Sequence, residues 1–401
     1  AAAPQALIVV DHAYVEFGGE DLTDLACSLP NVVVLRTLSK AWGLAGLRVG
    51  FAVASPTVLG WLRAAGHPYA VSGPSAALAL RWLDLGREAK AAYCARVPEE
   101  RSELEAALAA LGGQVHPSAG NFAFARVSDA IWIRDGLAGL GIGIRAFPGD
   151  PLLDDAVRIT CPGEPADQAR LLHALDSIAR PEALLFDMDG VLVDVSQSYR
   201  EAIRLTASRF GVELSAEDIA HEKERGHASN DWILTRRLLA LCGVEVELEE
   251  VTRVFEELYQ GSPGTPGLRQ HERLLVPREL LEALRARLPL GIVTGRPRQD
   301  AERLLGEHTL APLFDALVTM EDAPAKPDPA PVRLALERLG VGRAWMVGDM
   351  PDDVRAARRA AVLPLGARFG AARDDAGARA LTSAGAARVL SRPQELKELL
   401  P

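Results

Sequence analysis

A chain of 401 residues, 48% hydrophobic and 24% charged, is long enough to bury two or three cores of ordinary domain size, and nothing in it suggests disorder. A net charge of −10 and a pI near 5.4 argue against nucleic acid as a partner, since no basic block or interleaved aromatic stripe offsets the acidic balance. No apolar stretch reaches bilayer length and no signal peptide opens the chain. Cys27, Cys94, Cys161 and Cys242 form no paired motif and read as reduced thiols of a cytoplasmic protein.

The first apolar run, Leu7-Ile-Val-Val-Asp-His-Ala-Tyr-Val-Glu-Phe, predicts a buried strand ending in Asp11. The second, Val32-Val-Val-Leu-Arg-Thr-Leu-Ser-Lys, ends in Lys40, and a glycine-rich turn then leads to Arg48. These residue types in this order suit pyridoxal phosphate: a lysine to form the Schiff base, Ser39 and Arg48 to hold phosphate, and Asp11 to pair with the pyridinium nitrogen. Through Thr37-Leu-Ser-Lys-Ala-Trp-Gly-Leu-Ala-Gly-Leu-Arg the region resembles fold-type I aminotransferases, most closely the histidinol-phosphate aminotransferases. The resemblance implies Lys40 as the cofactor lysine, Asp11 as its ring partner and Tyr14 as a further contact. Gly120-Asn-Phe-Ala-Phe-Ala-Arg, Gly143-Ile-Arg-Ala-Phe and Arg158-Ile-Thr resemble that family's small domain, where Arg158 would bind the acidic end of the substrate. His12 departs from the family's usual glutamate.

The family's large domain opens with a long segment that brings a glycine-rich phosphate loop, a ring-stacking aromatic and an Asn-Pro-Thr-Gly turn, none of which occurs here. The chain begins on Ala1-Ala-Ala-Pro with no initiator methionine, as expected of a fragment of a longer polypeptide or of a gene that lost its upstream half. Aminotransferase activity would then need missing residues or a partner. The alternative is a scaffold or dimerisation remnant with a partly exposed sheet. A homodimer is implied by the resemblance alone.

An amphipathic helix from Pro165 to Ile178 precedes a boundary near Arg180-Pro181. The expected domains are 1–65, a partial aminotransferase large domain; 66–180, its small domain; and 181–401, a different fold. That last region opens with residues 183–194, Ala-Leu-Leu-Phe-Asp-Met-Asp-Gly-Val-Leu-Val-Asp. A buried strand here delivers Asp187 and Asp189 at the carboxyl end, where parallel α/β sheets keep their active sites. Alternate residues point opposite ways, so one carboxylate can attack phosphorus while the other exchanges protons. Leu290-Gly-Ile-Val-Thr-Gly-Arg-Pro ends in Thr294 and Gly295, a hydroxyl and a backbone N–H suited to phosphate oxygens, with Arg296 as an added cation. Lys326, in Ala-Lys-Pro-Asp-Pro, can offset nucleophile and phosphate charge. Trp345-Met-Val-Gly-Asp-Met-Pro-Asp-Asp delivers Asp349, with Asp352 and Asp353 behind it, an oxygen-rich set suited to Mg²⁺.

Together the four segments resemble the haloacid dehalogenase superfamily across 181–401. The resemblance implies Asp187 as nucleophile, Asp189 as general acid/base, Thr294, Gly295 and Lys326 as phosphate ligands, and Asp187, Asp189, Asp349 and Asp353 around Mg²⁺. Dehalogenases lack the second aspartate, so Asp189 points to a phosphatase or a phosphomutase. Helical spacing over Ser198 to Phe210, Ala216 to Arg225, Asp231 to Leu241 and Glu247 to Tyr259 predicts a helical cap over about 196–276 that closes on a small substrate. Gly226-His-Ala-Ser-Asn-Asp-Trp is either a specificity loop, with Asn230 and Trp232 on substrate, or a helix cap made by Asn230 or Asp231. The expected fold is thus α/β: a Rossmann-like parallel sheet with a helical cap, preceded by an incomplete aminotransferase segment and an α+β small domain. The expected activity is hydrolysis of a small phosphorylated metabolite. Histidinol phosphate is one such ester, because an aminotransferase of this type makes it. A non-enzymatic assembly role is the remaining alternative.

Overall fold

Ala183, Leu184, Leu185 and Phe186 are fully buried, and with no polar face to offer solvent they form a central strand of a parallel sheet in the computed structural model. The structure describes residues 5–225, 230–262, 264–369 and 375–400. It divides into two compact units, Ala1–Ala130 with Ile144–Leu172 and Ile131–Gly143 with His173–Pro401.

In the first unit, β1 (Ile8–Asp11) runs parallel to β2 (Val32–Thr37), which pairs antiparallel with β3 (Gly50–Ala54). Val32, Val33 and Val34 are buried, whereas Ile8, Val9, Leu35 and Phe51 are exposed, so part of this small apolar sheet lies open as expected. Helices α1 (Gly73–Leu85) and α2 (Arg87–Ala110) follow, the first capped by the Ser72 hydroxyl. A second sheet combines β4 (Gln114–His116), β5 (Phe122–Arg126), β6 (Arg145–Ala146) and β7 (Ala156–Thr160) in the order β4-β5-β7-β6. Ala123 and Ala125 of β5 are buried between half-buried neighbours, the period-two pattern of a sheet with one covered face.

The second unit includes most of helix α3 (Ala130–Gly139) and the end of α4 (Pro165–Ala179). Its sheet comprises β8 (Ala183–Phe186), β9 (Leu290–Val293), β10 (Ala316–Val318), β11 (Ala344–Gly348), β12 (Leu363–Ala367) and β13 (Arg388–Leu390), all parallel, in the order β10-β9-β8-β11-β12-β13. The order reverses at β8, and the crevice beyond its carboxyl end is where such sheets bind ligands. Trp132 of α3 meets Trp345 of β11 edge to face at 5.4 Å, and the Trp345 indole donates to Ser177 O at 2.7 Å.

Four helices fill the insert after β8, close to the expected spans: α5 (Tyr199–Arg209), α6 (Ala216–Glu224), α7 (Asp231–Leu241) and α8 (Leu248–Gln260). Ser215 and Asp218 cap α6 reciprocally, and Val251, Phe255 and Tyr259 form the buried stripe of α8. Residues 193–194 pair antiparallel with 273–274, tying the two ends of the insert together. The Ala-rich stretch over 371–388, which reads as a surface helix pair, instead holds one helix (Asp375–Ala384) and then β13; residues 371–374 lie outside the described ones.

Candidate active site

Asp187 leaves β8 at the reversal point and is nearly buried. Lys326 Nζ donates to Asp187 Oδ1 at 2.8 Å and to Val293 O at 3.0 Å, and lies 2.5 Å from Asp353 Oδ1. Asp353 stands in the first turn of α9 (Pro351–Arg359), with its other oxygen accepting from Met350 N at 2.9 Å. A Cβ on Gly348 would lie 2.1 Å from that of Asp353, so only glycine lets the helix come this close to the end of β11. Asp352 turns instead to Arg355, at 3.1 Å.

Asp187, Asp349 and Asp353 each offer an oxygen within 4.8 Å of the others. Burial above all pushes the Asp187 carboxyl well above its usual range, with Lys326 pulling the other way. Burial and then the Asp353 charge push Asp349 up to about 7. Burial opposes the Lys326 ammonium, but Asp187 and Asp353 more than offset it and hold it charged. Three crowded carboxylates with only oxygen donors fit a hard divalent cation such as Mg²⁺.

The Asp189 carboxylate stands outside this trio. Its Oδ1 accepts from Arg296 Nε at 2.6 Å. The Arg296 guanidinium, expected as a cation for phosphate, is fully buried and engaged by Asp189 and by Glu272, whose oxygens lie 3.0 and 3.1 Å from its terminal nitrogens. Thr294 is buried, and its hydroxyl accepts from Arg296 N at 3.1 Å. Asp189, Asn230, Trp232 and Gly295 line one small, open cleft with Tyr199 and Arg296, so the two expected cap residues border the same space as the motif residues. Asn230 is also the cap of α7, accepting from Ile233 N at 3.0 Å, and the Trp232 indole donates to Glu256 at 3.1 Å. His227 lies outside the described residues. Two charged neighbours carried no sequence signal: Arg200 of α5, 3.9 Å from Asp349, and Glu272. Neither belongs to a motif, and only folding of the insert brings them in.

In the first unit, Lys40 Nζ lies 5.2 Å from the Tyr14 ring centre, Tyr14 meets Phe122 edge to face, and the Arg158 guanidinium covers Phe122 at 5.2 Å. Lys40, Tyr14 and Arg158 are therefore linked through rings. Asp11 and Arg48 are exposed and bound to their own loops, Asp11 by Ala13 N at 2.9 Å and Arg48 to Ala45 O at 3.2 Å. Ser39 N donates to the Thr37 hydroxyl at 3.0 Å.

A family model of haloacid dehalogenase-like hydrolases matches residues 181–361, and one of class I and II aminotransferases matches residues 1–175. The two matches lie one after the other and do not overlap, the pattern of a fusion of an aminotransferase-like and a hydrolase-like portion. The hydrolase portion accounts for β8 to α9, and the aminotransferase portion for β1 to most of α4. Among curated relatives, an imidazoleglycerol-phosphate dehydratase of Phytophthora nicotianae is 49% identical over 193 residues, covering 46% of this chain and 43% of the relative. A histidinol-phosphate aminotransferase of Roseiflexus castenholzii is 41% identical over 179 residues, covering 43% and 47%. The chain spans about half the length of these curated relatives. A hydrolase structure from Pseudomonas syringae, 23% identical, covers 55% of this chain and all of its own, with a TM-score of 0.45. Among the described residues, no helix is long and apolar enough to cross a membrane.

Proposed function

We propose that the hydrolase portion is a phosphatase for a small phosphate monoester, with Asp187 as nucleophile. The observation that carries this reading is the Lys326 bridge between Asp187 and Asp353 at the reversal point of a parallel sheet. A buried ammonium there orients the carboxylate and leaves its second oxygen for attack. Asp187 attacks phosphorus as the ester P–O bond breaks, and Asp189 gives its proton to the departing alkoxide. Water then attacks the same phosphorus, Asp189 takes up its proton, and inorganic phosphate leaves Asp187. Thr294, Gly295 and Lys326 hold the phosphate oxygens, and Asn230 and Trp232 face the leaving group from the cap.

Asp187, Asp349 and Asp353 would hold Mg²⁺, with Asp189 as the further ligand the sequence implies. The ion, when bound, supplies positive charge against the phosphate oxygens.

Histidinol phosphate is the ester to try first, because the curated relatives include proteins named histidinol-phosphate aminotransferase. The test is Mg²⁺-dependent phosphate release from a panel of small esters including histidinol phosphate, by the native chain and by Asp187→Asn. Release that vanishes in the variant supports the phosphatase; transfer between substrate positions with little free phosphate points to a mutase. Strong preference for another ester rejects histidinol phosphate.

For the aminotransferase portion, we infer a pyridoxal phosphate site built on Lys40. The approach of Lys40 to Tyr14, continued through Phe122 to Arg158, favours this reading. The cofactor, when bound, supplies an electron sink for amino-group chemistry. Lys40 would anchor it, Asp11 would face its ring nitrogen, Ser39 and Arg48 its phosphate, and Arg158 the acidic end of the substrate. A visible absorbance band that forms on adding pyridoxal phosphate and is lost in Lys40→Ala tests this, and no band at all refutes it.

A further inference from the structure

The hydrolase portion holds a buried polar cluster that the four motifs do not account for. At its centre is Arg296, whose side chain is fully buried and whose three nitrogens are all engaged. Nε donates to Asp189 Oδ1, and the terminal nitrogens form a two-pronged pair with Glu272. Glu272 is itself held by the Ser198 and Tyr259 hydroxyls, each at 3.0 Å. The Tyr199 ring lies over the guanidinium at 4.7 Å, and Tyr259 Oη accepts from it at 3.2 Å.

A buried guanidinium needs a counter-charge that stays put, because removing it from water is costly unless paired and fully hydrogen-bonded. Glu272 is that permanent partner. Asp189 is therefore not the only anion balancing Arg296, and it is held by one directed hydrogen bond on Oδ1. Among the described residues Oδ2 accepts none, and the residue borders the cleft. A planar fork can grip two carboxylates along two edges at once, which the single ammonium of a lysine cannot. Tyr199 opens the first cap helix and Tyr259 lies in the last turn of the fourth, while Glu272 directly precedes the strand at Arg273 that pairs back with Asp194. The grip on Asp189 is thus tied to the seating of the cap.

We propose that Glu272 and Arg296 are positioning residues that aim Asp189 at the leaving-group oxygen and link that aim to the cap. The inference rests on the phosphatase reading, with Asp189 as the proton donor. Its test exploits the leaving group. An alkyl phosphate needs a proton on its departing oxygen, whereas 4-nitrophenyl phosphate releases a stable anion without one.

The full chain with Mg²⁺ is assayed on both esters as Glu272→Gln, Arg296→Lys and Tyr259→Phe, with thermal melting to confirm folding. Tyr259→Phe deletes a single hydroxyl and carries the test if the charged variants are unstable. In Glu272→Gln and Arg296→Lys, kcat/KM for the alkyl ester is expected to fall about 10- to 100-fold, and that for the nitrophenyl ester by less than about threefold. Tyr259→Phe should show a smaller loss of the same kind. Because Asp189 also activates water, the second half-reaction slows, so the variants should release a burst of nitrophenolate close to one equivalent per enzyme. An equal fall on both esters, or no fall on either, overturns the proposal. Absence of release by the native chain, or its persistence in Asp187→Asn, overturns the phosphatase reading instead.

Discussion

A Cβ placed on Gly190 would stand 2.1 Å from Asp349 Oδ2. Gly190 also has φ of +73°, so the turn after Asp189 needs glycine both for its backbone and for the carboxylate packed against it. Gly190→Ala is expected to displace Asp349, weaken Mg²⁺ binding by at least about tenfold and lower kcat, because a ligand moved by an ångström no longer shares the ion. Titration of Mg²⁺ against activity checks this; an unchanged Mg²⁺ requirement would mean that Asp349 lies outside the metal site.

The same carboxylate makes metal binding depend on pH. Its folded-state pKa, raised from 3.8 to about 7, exceeds the unfolded value, so the metal-free folded chain holds a proton that the unfolded chain has released. The associated stability is complete below the unfolded value and is lost as pH rises through about 7. The proton belongs to the carboxylate group jointly, and Mg²⁺ competes with it. Saturating Mg²⁺ should therefore raise the melting temperature more at about pH 8 than at about pH 5.5. Equal shifts at the two pH values would rule out this competition, and Asp349→Asn should largely remove the difference.

Lys326 balances two nearly buried carboxylates, Asp187 and Asp353. Lys326→Met removes the cation but keeps most of the side-chain volume, leaving Asp187 and Asp353 facing each other uncompensated. The metal-free chain should lose about 3–5 kcal/mol, part of it restored by Mg²⁺, since one cation substitutes for the other. Urea unfolding with and without Mg²⁺ measures this. A midpoint unchanged from the native chain would show that the acids simply take up protons at no cost. Phosphate release should fall at least about a hundredfold, as transition-state charge loses its buried partner.

What the sequence made legible was local. Apolar runs ending in Asp187, Thr294 and Asp349 announce strands and the residues at their carboxyl ends, and the spacing from Ser198 to Tyr259 announces four helices. The same logic assigned Arg296 to phosphate because it follows Thr294 and Gly295 directly, yet its partners lie far along the chain, at 189 and 272. Glu272 looks like any charge in a polar linker until the cap folds back and buries it. Asn230 illustrates a tie that sequence leaves open: it caps α7 and borders the cleft, so the two readings of its loop are not exclusive.

The aminotransferase portion leaves a consequence for behaviour in solution. Val9 is 56% exposed and Phe51 51%, and Trp61, Tyr69 and Leu80 are more exposed still, far beyond the scattered apolar residues of an ordinary surface. Among the described residues β1 pairs with β2 alone, so its other side offers unpaired backbone groups beside apolar side chains. The chain on its own is expected to self-associate with rising concentration, driven by burial of this surface and little affected by salt. Val9→Lys places a charge on the edge, and a penalty of about 1.4 kcal/mol there would raise the concentration at half-association about tenfold. Sedimentation velocity over a concentration series reads this directly. A native chain that stays monomeric throughout would show that the open face is not sticky, and association that persists undiminished in Val9→Lys would move the contact from the β1 edge to the apolar surface of α1.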